Sequence, residues 1–153
     1  MSPQGKKPFT RGPRRRRGAV AVQVAVSLTM LMGFMALAID IGAIYNTKAE
    51  LQRTADAAAL AGVAELGEKT GDPLARARLS GQQVATANRV LGEGLKLDGL
   101  RDFTFGTAAI DDATGKFVFT PTMTDPNAVR VRARRTQGSP SGPMSLFFAR
   151  VFG

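Results

Sequence analysis

The side chains that most often carry enzymatic chemistry are scarce in this sequence. Its 153 residues include no His and no Cys, which excludes thiol nucleophiles, thiolate or imidazole metal ligands and every His-based general base. Serines such as Ser80 and Ser145 could pair with a lysine, but no nucleophile motif surrounds either one. We therefore expect a protein that is not an enzyme and has no catalytic residue, cofactor, metal or small-molecule substrate.

Arginine is the remaining residue type with obvious chemistry, because a guanidinium group binds phosphate and carboxylate groups. Residues 128–135 alternate apolar and basic side chains, which predicts a β-strand with three arginines on one face and a fourth arginine after them. These are Arg130, Arg132, Arg134 and Arg135. No aromatic residue interleaves with them, so we expect no nucleic-acid partner. We interpret them as a solvated strand face protected by charge, with an exported binding module for acidic polymers as the alternative.

The positive charge of the protein is concentrated at one end. The net charge is +9, yet residues 18–153 contain 14 cations and 12 acids, whereas residues 1–17 contain seven cations and no acid. The seven cations of this tail are Lys6, Lys7, Arg11, Arg14, Arg15, Arg16 and Arg17. The basicity is therefore a property of one short tail, which we expect to determine membrane topology.

An apolar run of 22 residues without a formal charge, residues 18–39, follows the tail and ends before Asp40. At about 1.5 Å per helical residue it extends about 33 Å, close to the roughly 30 Å thickness of the bilayer core. The run therefore predicts a transmembrane helix with the lipid bilayer as partner. Because the cations precede it, the positive-inside rule places the N-terminus in the cytoplasm and the following residues outside.

A cleaved signal peptide is the alternative interpretation of the same run. Residues 36–38 have the sequence Ala-Leu-Ala, which offers a cleavage site of the A-x-A type. The apolar run is longer than the about 7–15 residues of a typical signal-peptide core, and the helical pattern continues beyond the site. We therefore favour a retained membrane helix.

The helical pattern continues beyond the apolar run. Small and apolar residues recur at alternating steps of four and three, which is the spacing of one narrow helix face. They are Leu51, Ala55, Ala58, Gly62 and Leu66. We predict one long helix over residues 19–67, half in lipid and half in the exported compartment.

A second helix and a small sheet are predicted for the rest of the chain. Asp72 is suited to be the N-cap and Pro73 the first residue of a helix that runs to about Leu91. Alternating residues then predict a β-hairpin of residues 102–108 and 116–120, and the strand over 128–135 follows. The expected fold class is α+β: a long N-terminal helix, a second helix and an antiparallel sheet of about three strands.

These elements give four expected regions. Residues 1–17 form the basic cytoplasmic tail, 18–42 the transmembrane helix, 43–137 the exported helical and β domain, and 138–153 a linker and an apolar stretch. The apolar stretch 144–153 would be unusual on an exposed surface. We expect that it packs on the membrane or on a partner, or that the natural sequence continues beyond it.

Two blocks of the sequence resemble the TadE/TadG-like proteins of the tight-adherence (Flp) pilus system, in particular the N-terminal segment of the TadG-like members. The blocks are residues 38–45 and 51–62, preceded by Arg17-Gly18. The residues that match the motif are Asp40, Gly42, Leu51, Gln52, Ala55, Asp56, Ala58, Leu60 and Gly62. Residues 143–153 also resemble a segment within longer members.

The resemblance implies a pilin-like, non-catalytic protein of the bacterial inner membrane that helps to assemble or anchor a fibre for surface adhesion. It implies a single membrane pass, a cytoplasmic N-terminus and a periplasmic C-terminal domain. The implied partners are other proteins of the pilus or a related secretion machinery. Some longer members carry a metal-binding domain with an Asp-x-Ser-x-Ser motif, but that motif does not occur here, so no such domain is expected.

The resemblance also implies a processing site to consider. In TadE-like pseudopilins a peptidase cuts after a glycine, and a glutamate five residues further on supports recognition and packing. Gly18 matches the glycine, whereas Gln23 stands where the acid is expected. Because Gln23 cannot neutralise a new amino terminus, we favour an uncleaved anchor. A processed pseudopilin that enters the fibre is the alternative.

Overall fold

The computed structural model describes residue 5 and residues 17–68 and 71–149. Six of the seven tail cations, within residues 6–16, lie outside the described residues, as does the side chain of Arg17. The first element is α1, Arg17–Leu66, an uninterrupted helix of 50 residues. The prediction of one long N-terminal helix is therefore confirmed. Near its end, the Arg76 side chain donates to the backbone carbonyls of Glu65 and Glu68.

The second helix, α2, comprises Pro73–Ala87 and runs back along α1. Asp72 caps it as expected, because its carboxylate accepts the backbone N–H groups of Leu74 and Ala75 at 3.0 and 3.1 Å. The predicted extension to Leu91 is wrong. The helix ends when the Asn88 backbone and side-chain N–H groups both donate to the Val84 carbonyl.

A short hairpin replaces the last predicted turn of α2. It consists of β1, Arg89–Val90, and β2, Glu93–Gly94, which pair antiparallel. Leu91 and Gly92 connect them with φ values of 57° and 81°. Two consecutive positive φ angles are typical of the type I′ turn, whose twist matches that of the paired strands. Glycine adopts positive φ at little cost because it has no Cβ atom, so Gly92 suits this turn. Leu91 adopts positive φ although its side chain disfavours it.

The main sheet has three antiparallel strands, as predicted. They are β3 (Phe103–Asp111), β4 (Lys116–Pro121) and β5 (Ala128–Val131), in the order β4-β3-β5. The register pairs Ala108 with Phe119 and Phe105 with Val129. The strand expected over 128–135 stops at Val131, and the residues after it leave the alternation. The α+β fold class is confirmed.

The core lies between the second half of α1, α2 and one face of the sheet. Its fully or nearly fully buried apolar residues are Ala58, Ala77, Ala85, Val90, Leu95, Leu97, Phe103 and Phe105. The buried core residues of α1 and α2 are alanines, so the two helices approach closely. The large buried side chains come from the segments that follow α2. Each fully buried Leu or Phe contributes about 1.5–3 kcal/mol relative to an exposed one.

Candidate functional site

The apolar run at the start of α1 has no partner within the described structure. Within the described residues, one helix is long and apolar enough to cross a membrane, and only 6% of its most apolar window is buried. A core helix of a soluble domain would be mostly covered by neighbouring elements. Side chains such as Met32 and Phe34 are instead 66% and 67% exposed. This part of α1 therefore presents apolar surface on all sides, as a helix in lipid does.

The two residues of the candidate processing site lie at the beginning of this helix. Gly18 belongs to the first turn of α1, and Gln23 lies in its second turn. Both residues are exposed, and nothing lies within 4 Å of the position that a Cβ atom would take at Gly18. Both positions are therefore accessible in the part of the chain that the structure describes.

Asp40, at the other end of the apolar run, is bound by a distant part of the chain. Its carboxylate accepts the backbone N–H groups of three consecutive residues: Phe147 at 2.9 Å, Phe148 at 3.2 and 3.3 Å, and Ala149 at 2.8 Å. The Asp40 residue is only 6% exposed as a result. We call residues 144–149 the apolar segment. Three convergent N–H donors satisfy a carboxylate that would otherwise be costly to remove from water.

The motif residue that follows, Gly42, is open to the surroundings. Nothing lies within 4 Å of its hypothetical Cβ, and the neighbouring Ile41, Ile44 and Tyr45 are 43%, 46% and 68% exposed. Among the described residues, none makes a close contact that requires a glycine at position 42.

The motif residues further along α1 lie on two sides of the helix. Ala58 and Gly62 face α2, where a Cβ on Gly62 would lie 3.3 Å from the Ala77 carbonyl oxygen. The facing Gly81 of α2 is tighter still, with Phe103 ring atoms at 2.5 and 2.8 Å from its hypothetical Cβ. The small residues on this side therefore allow two helix backbones to approach each other. Leu60 points away and is 71% exposed.

The other motif residues line an open groove between α1 and β5, with a volume of about 510 Å³. Its walls include Leu51, Gln52, Ala55 and Asp56 on one side and residues 129–133 with Phe119 on the other. Gln52 donates to the Asp56 carboxylate at 2.8 Å, and the Arg130 guanidinium lies 4.2 Å from the centre of the Phe119 ring. The groove is lined by polar and apolar side chains in similar measure.

The four arginines between positions 130 and 135 lie in two different environments. Arg130 and Arg132 are exposed as expected. Arg134 instead forms an ion pair with the buried Asp102, and the Arg135 side chain, only 8% exposed, donates to the carbonyls of Val90 and Ser141. The expectation of one solvated basic face is wrong at Arg134, because β5 ends three residues earlier and the chain turns toward Asp102. This leaves two exposed arginines rather than four for an acidic polymer, and one of them, Arg130, stacks on Phe119.

Two exposed loops stabilise carboxylates by local hydrogen bonds. The backbone N–H groups of Leu100 and Arg101 lower the pKa of Asp98 below its ordinary value of 3.8, since they stabilise the charged form. The Thr114 hydroxyl and the Ala113 N–H lower the pKa of Asp111 in the same way. These interactions stabilise the turns in which the two carboxylates lie.

The contacts of Asp40 and Asp102 are the features that the sequence did not predict. Asp40 meets residues more than 100 positions away, and Asp102 meets Arg134 at a separation of 32. No local pattern marks such pairs, although an acid at the edge of an apolar run is a general signal for a compensating partner. Within residues 17–68 and 71–149, no group of three or more acidic residues is arranged to hold a metal.

Comparison with known families matches nearly all of the chain beyond its tail. The sequence model of the Flp pilus-assembly TadE/G-like family matches residues 18–65, and that of the Tad-like Flp pilus-assembly family matches residues 42–153. The two matches overlap on α1, from Gly42 to Glu65. No curated protein and no solved structure matches this chain.

Proposed function

The chain belongs to the Tad-like Flp pilus-assembly family, and on this basis we propose that it is a non-catalytic, single-pass membrane component of a Flp/Tad-type pilus or related secretion machinery. In this proposal the apolar run anchors the protein in the inner membrane. The α+β domain lies outside the cytoplasm and contacts other components of the machinery.

One observation carries the proposal: α1 continues without a break from the exposed apolar run into the core of the α+β domain. Residues 18–39 expose apolar side chains on all sides, while Ala58 of the same helix is fully buried against α2. A rigid helix that changes from a lipid-compatible surface to a packed interface holds the domain at a fixed position relative to the bilayer.

The orientation follows from charge. The tail contributes seven cations, and Asp40 is the first charged residue at the other end of the run. Each Lys or Arg near an anionic leaflet contributes about 1 kcal/mol of attraction, which favours retention of the tail in the cytoplasm.

Single-cysteine labelling tests this topology, because the chain has no Cys of its own. We expect a membrane-impermeant maleimide to label Gln137→Cys, an exposed position, once the outer membrane is permeabilised. Ser2→Cys should react only after the inner membrane is disrupted. Labelling of Ser2→Cys in intact spheroplasts would contradict the proposed orientation.

We further propose that the motif on α1 has two roles. Ala58 and Gly62 contribute to folding by allowing α2 to approach, as their burial indicates. Gly42 and Leu60 are exposed, and we assign them to contacts with other proteins of the machinery. Immunoprecipitation from solubilised membranes should recover pilus-machinery proteins with the natural chain and fewer with Leu60→Glu. Equal recovery with both would overturn the assignment of Leu60.

The proposed form of the protein is the uncleaved anchor, supported by Gln23 in place of an acid. The alternative is a pseudopilin processed after Gly18. Intact mass and N-terminal sequencing of protein recovered from membranes distinguish the forms. An N-terminus at Met1 or Ser2 supports the anchor, one at Ala19 indicates pilin-like processing, and one at Ile39 indicates a released signal-peptide product.

A further inference from the structure

The contact between Asp40 and the apolar segment suggests a second membrane contact, which rests on the proposed anchoring of α1. Asp40 follows 22 uncharged residues, so a helix spanning the about 30 Å bilayer core places it at the outer boundary of the hydrocarbon. The length of the apolar run therefore determines the depth of Asp40 in the membrane.

Hydrogen bonds to Asp40 place the apolar segment at the same depth. Both carboxylate oxygens of Asp40 accept N–H groups from residues 147–149 at 2.8 to 3.3 Å. The backbone of these residues must therefore lie at the same level as Asp40, beside the end of the transmembrane part of α1.

The side chains at this level are apolar and uncovered. Phe147 is 73% and Phe148 39% exposed, and on the adjoining surface of α1 Ile41 and Tyr45 are 43% and 68% exposed. The apolar segment contains no charged residue. Two elements at one depth thus expose aromatic and aliphatic groups where the headgroup region of a membrane would be, which is where amphipathic and aromatic groups bind.

We propose that the apolar segment seats Phe147 and Phe148 in the outer interfacial layer of the same bilayer, and that Asp40 is the positioning residue that holds it there. The carboxylate can lie at the edge of the hydrocarbon because the segment's N–H groups replace the water that it loses. The N–H groups of residues 147–149 in turn need no water, so this part of the segment can enter the interface with its donors satisfied. The domain is then fixed to the membrane at two points.

Tryptophan fluorescence tests this proposal directly, because the chain contains no Trp. Phe147→Trp in the full chain, reconstituted in phosphatidylcholine and phosphatidylglycerol vesicles, should emit at shorter wavelength than Phe117→Trp. Phe117 is the matched control, since it is 77% exposed and pairs with Ile110 near the tip of the β3–β4 hairpin, which we expect to lie away from the membrane. Lipids brominated near the headgroup should quench Phe147→Trp at least about twofold more strongly than Phe117→Trp.

A third variant separates this proposal from the anchoring of α1. Phe34→Trp lies within the apolar run and should be quenched best by lipids brominated deep in the chains. If Phe34→Trp is quenched and Phe147→Trp is not, the span is established and the second contact is refuted. If neither is quenched, the anchoring proposal fails and the second contact fails with it. A blue-shifted Phe147→Trp that brominated lipids do not quench places the residue against protein, such as a second copy, and also refutes the proposal.

The role of Asp40 is tested in the same Phe147→Trp chain. Asp40→Asn preserves the side-chain size and Asp40→Ala removes every acceptor, and both should reduce the lipid quenching of Trp toward that of Phe117→Trp. Asp56→Asn is the control, as Asp56 is an exposed carboxylate on the same helix. Unchanged quenching in both Asp40 variants would overturn the positioning role. Unchanged quenching of Phe34→Trp in the Asp40→Asn background shows that α1 itself remains inserted.

Discussion

At the scale of single residues, the protein buries two carboxylates and satisfies each in a different way. Asp40 accepts backbone N–H groups, whereas Asp102, 2% exposed, accepts the Arg134 guanidinium and the Asp98 N–H. A buried charge that loses its partner costs several kcal/mol, because neither water nor another group replaces the lost interaction. Both carboxylates connect segments far apart in the sequence, so they hold tertiary structure rather than a local turn.

The Asp102 pair gives the first prediction. Arg134→Met should lower the free energy of unfolding by about 2–4 kcal/mol, because it leaves a buried carboxylate with a single backbone donor. Arg132→Met, at an exposed position two residues before Arg134, should change the free energy of unfolding by less than about 0.5 kcal/mol. Thermal or urea unfolding of both variants in detergent, followed by circular dichroism, measures the difference. Equal stability of the two variants would count against a structural role for the pair.

The lowered pKa of Asp98 gives a prediction about acid stability. A carboxyl group whose pKa is lower in the folded state stabilises the fold above its unfolded value of 3.8, and the contribution is lost as the pH falls through the folded pKa. Asp98→Asn should therefore destabilise the protein at pH 7, and the deficit should shrink as the pH falls below about 4. Unfolding curves of both proteins across this range test it. A deficit that is independent of pH would be incompatible with the charge as its cause.

At the scale of elements, the close approach of α1 and α2 organises the domain. The helix pair makes the most extensive contact between elements of the described structure. The Ala58 carbonyl oxygen lies 3.0 Å from the hypothetical Cβ of Gly81, and Phe103 of β3 closes on the same point. Two helices and the sheet thus meet at a position that only a residue without a side chain can occupy.

Gly81→Ala should therefore destabilise the domain by about 1–3 kcal/mol, since the added methyl group forces the ring of Phe103 or the helix backbone to move. Gly42→Ala is the matched control, because Gly42 is also helical but has nothing within 4 Å of its Cβ position. That variant should be neutral or stabilised by up to about 1 kcal/mol. Thermal unfolding compares the two, and a Gly81→Ala protein as stable as the natural one would show that the helices can separate at no cost.

The sequence predicts elements better than it predicts the contacts between them. Local signals mark the start of α2, at Asp72 and Pro73, and the alternation of residues marks the strands. The sequence therefore predicts the helix start and the sheet correctly. The end of α2 was not, because the turn through Leu91 requires a non-glycine residue at positive φ and the favoured turn residues are Asn, Asp and Gly. The ion pair of Arg134 depends on where β5 stops, which tertiary hydrogen bonding decides rather than alternation.

At the scale of the whole molecule, charged and apolar residues are separated along the sequence. The tail carries seven of the nine net positive charges, the apolar run carries none, and the rest of the chain is close to neutral. The basicity therefore belongs to one short tail, which in the proposed function is the signal that keeps this end of the chain in the cytoplasm. A continuous helix of 50 residues joins the apolar run to a small packed domain, so in the proposed function it fixes the position of the domain relative to the membrane. This arrangement suits a component that is held at the membrane while it contacts other subunits.

Piliation of a deletion strain tests the central claim of a pilus-assembly role most directly. Pili on the parent, on the deletion strain and on the strain complemented with the natural chain are counted by electron microscopy, together with surface adhesion. We predict that the deletion strain loses pili and adhesion, and that the natural chain restores both while Arg134→Met restores them less well. Normal piliation and adhesion in the deletion strain would contradict the account.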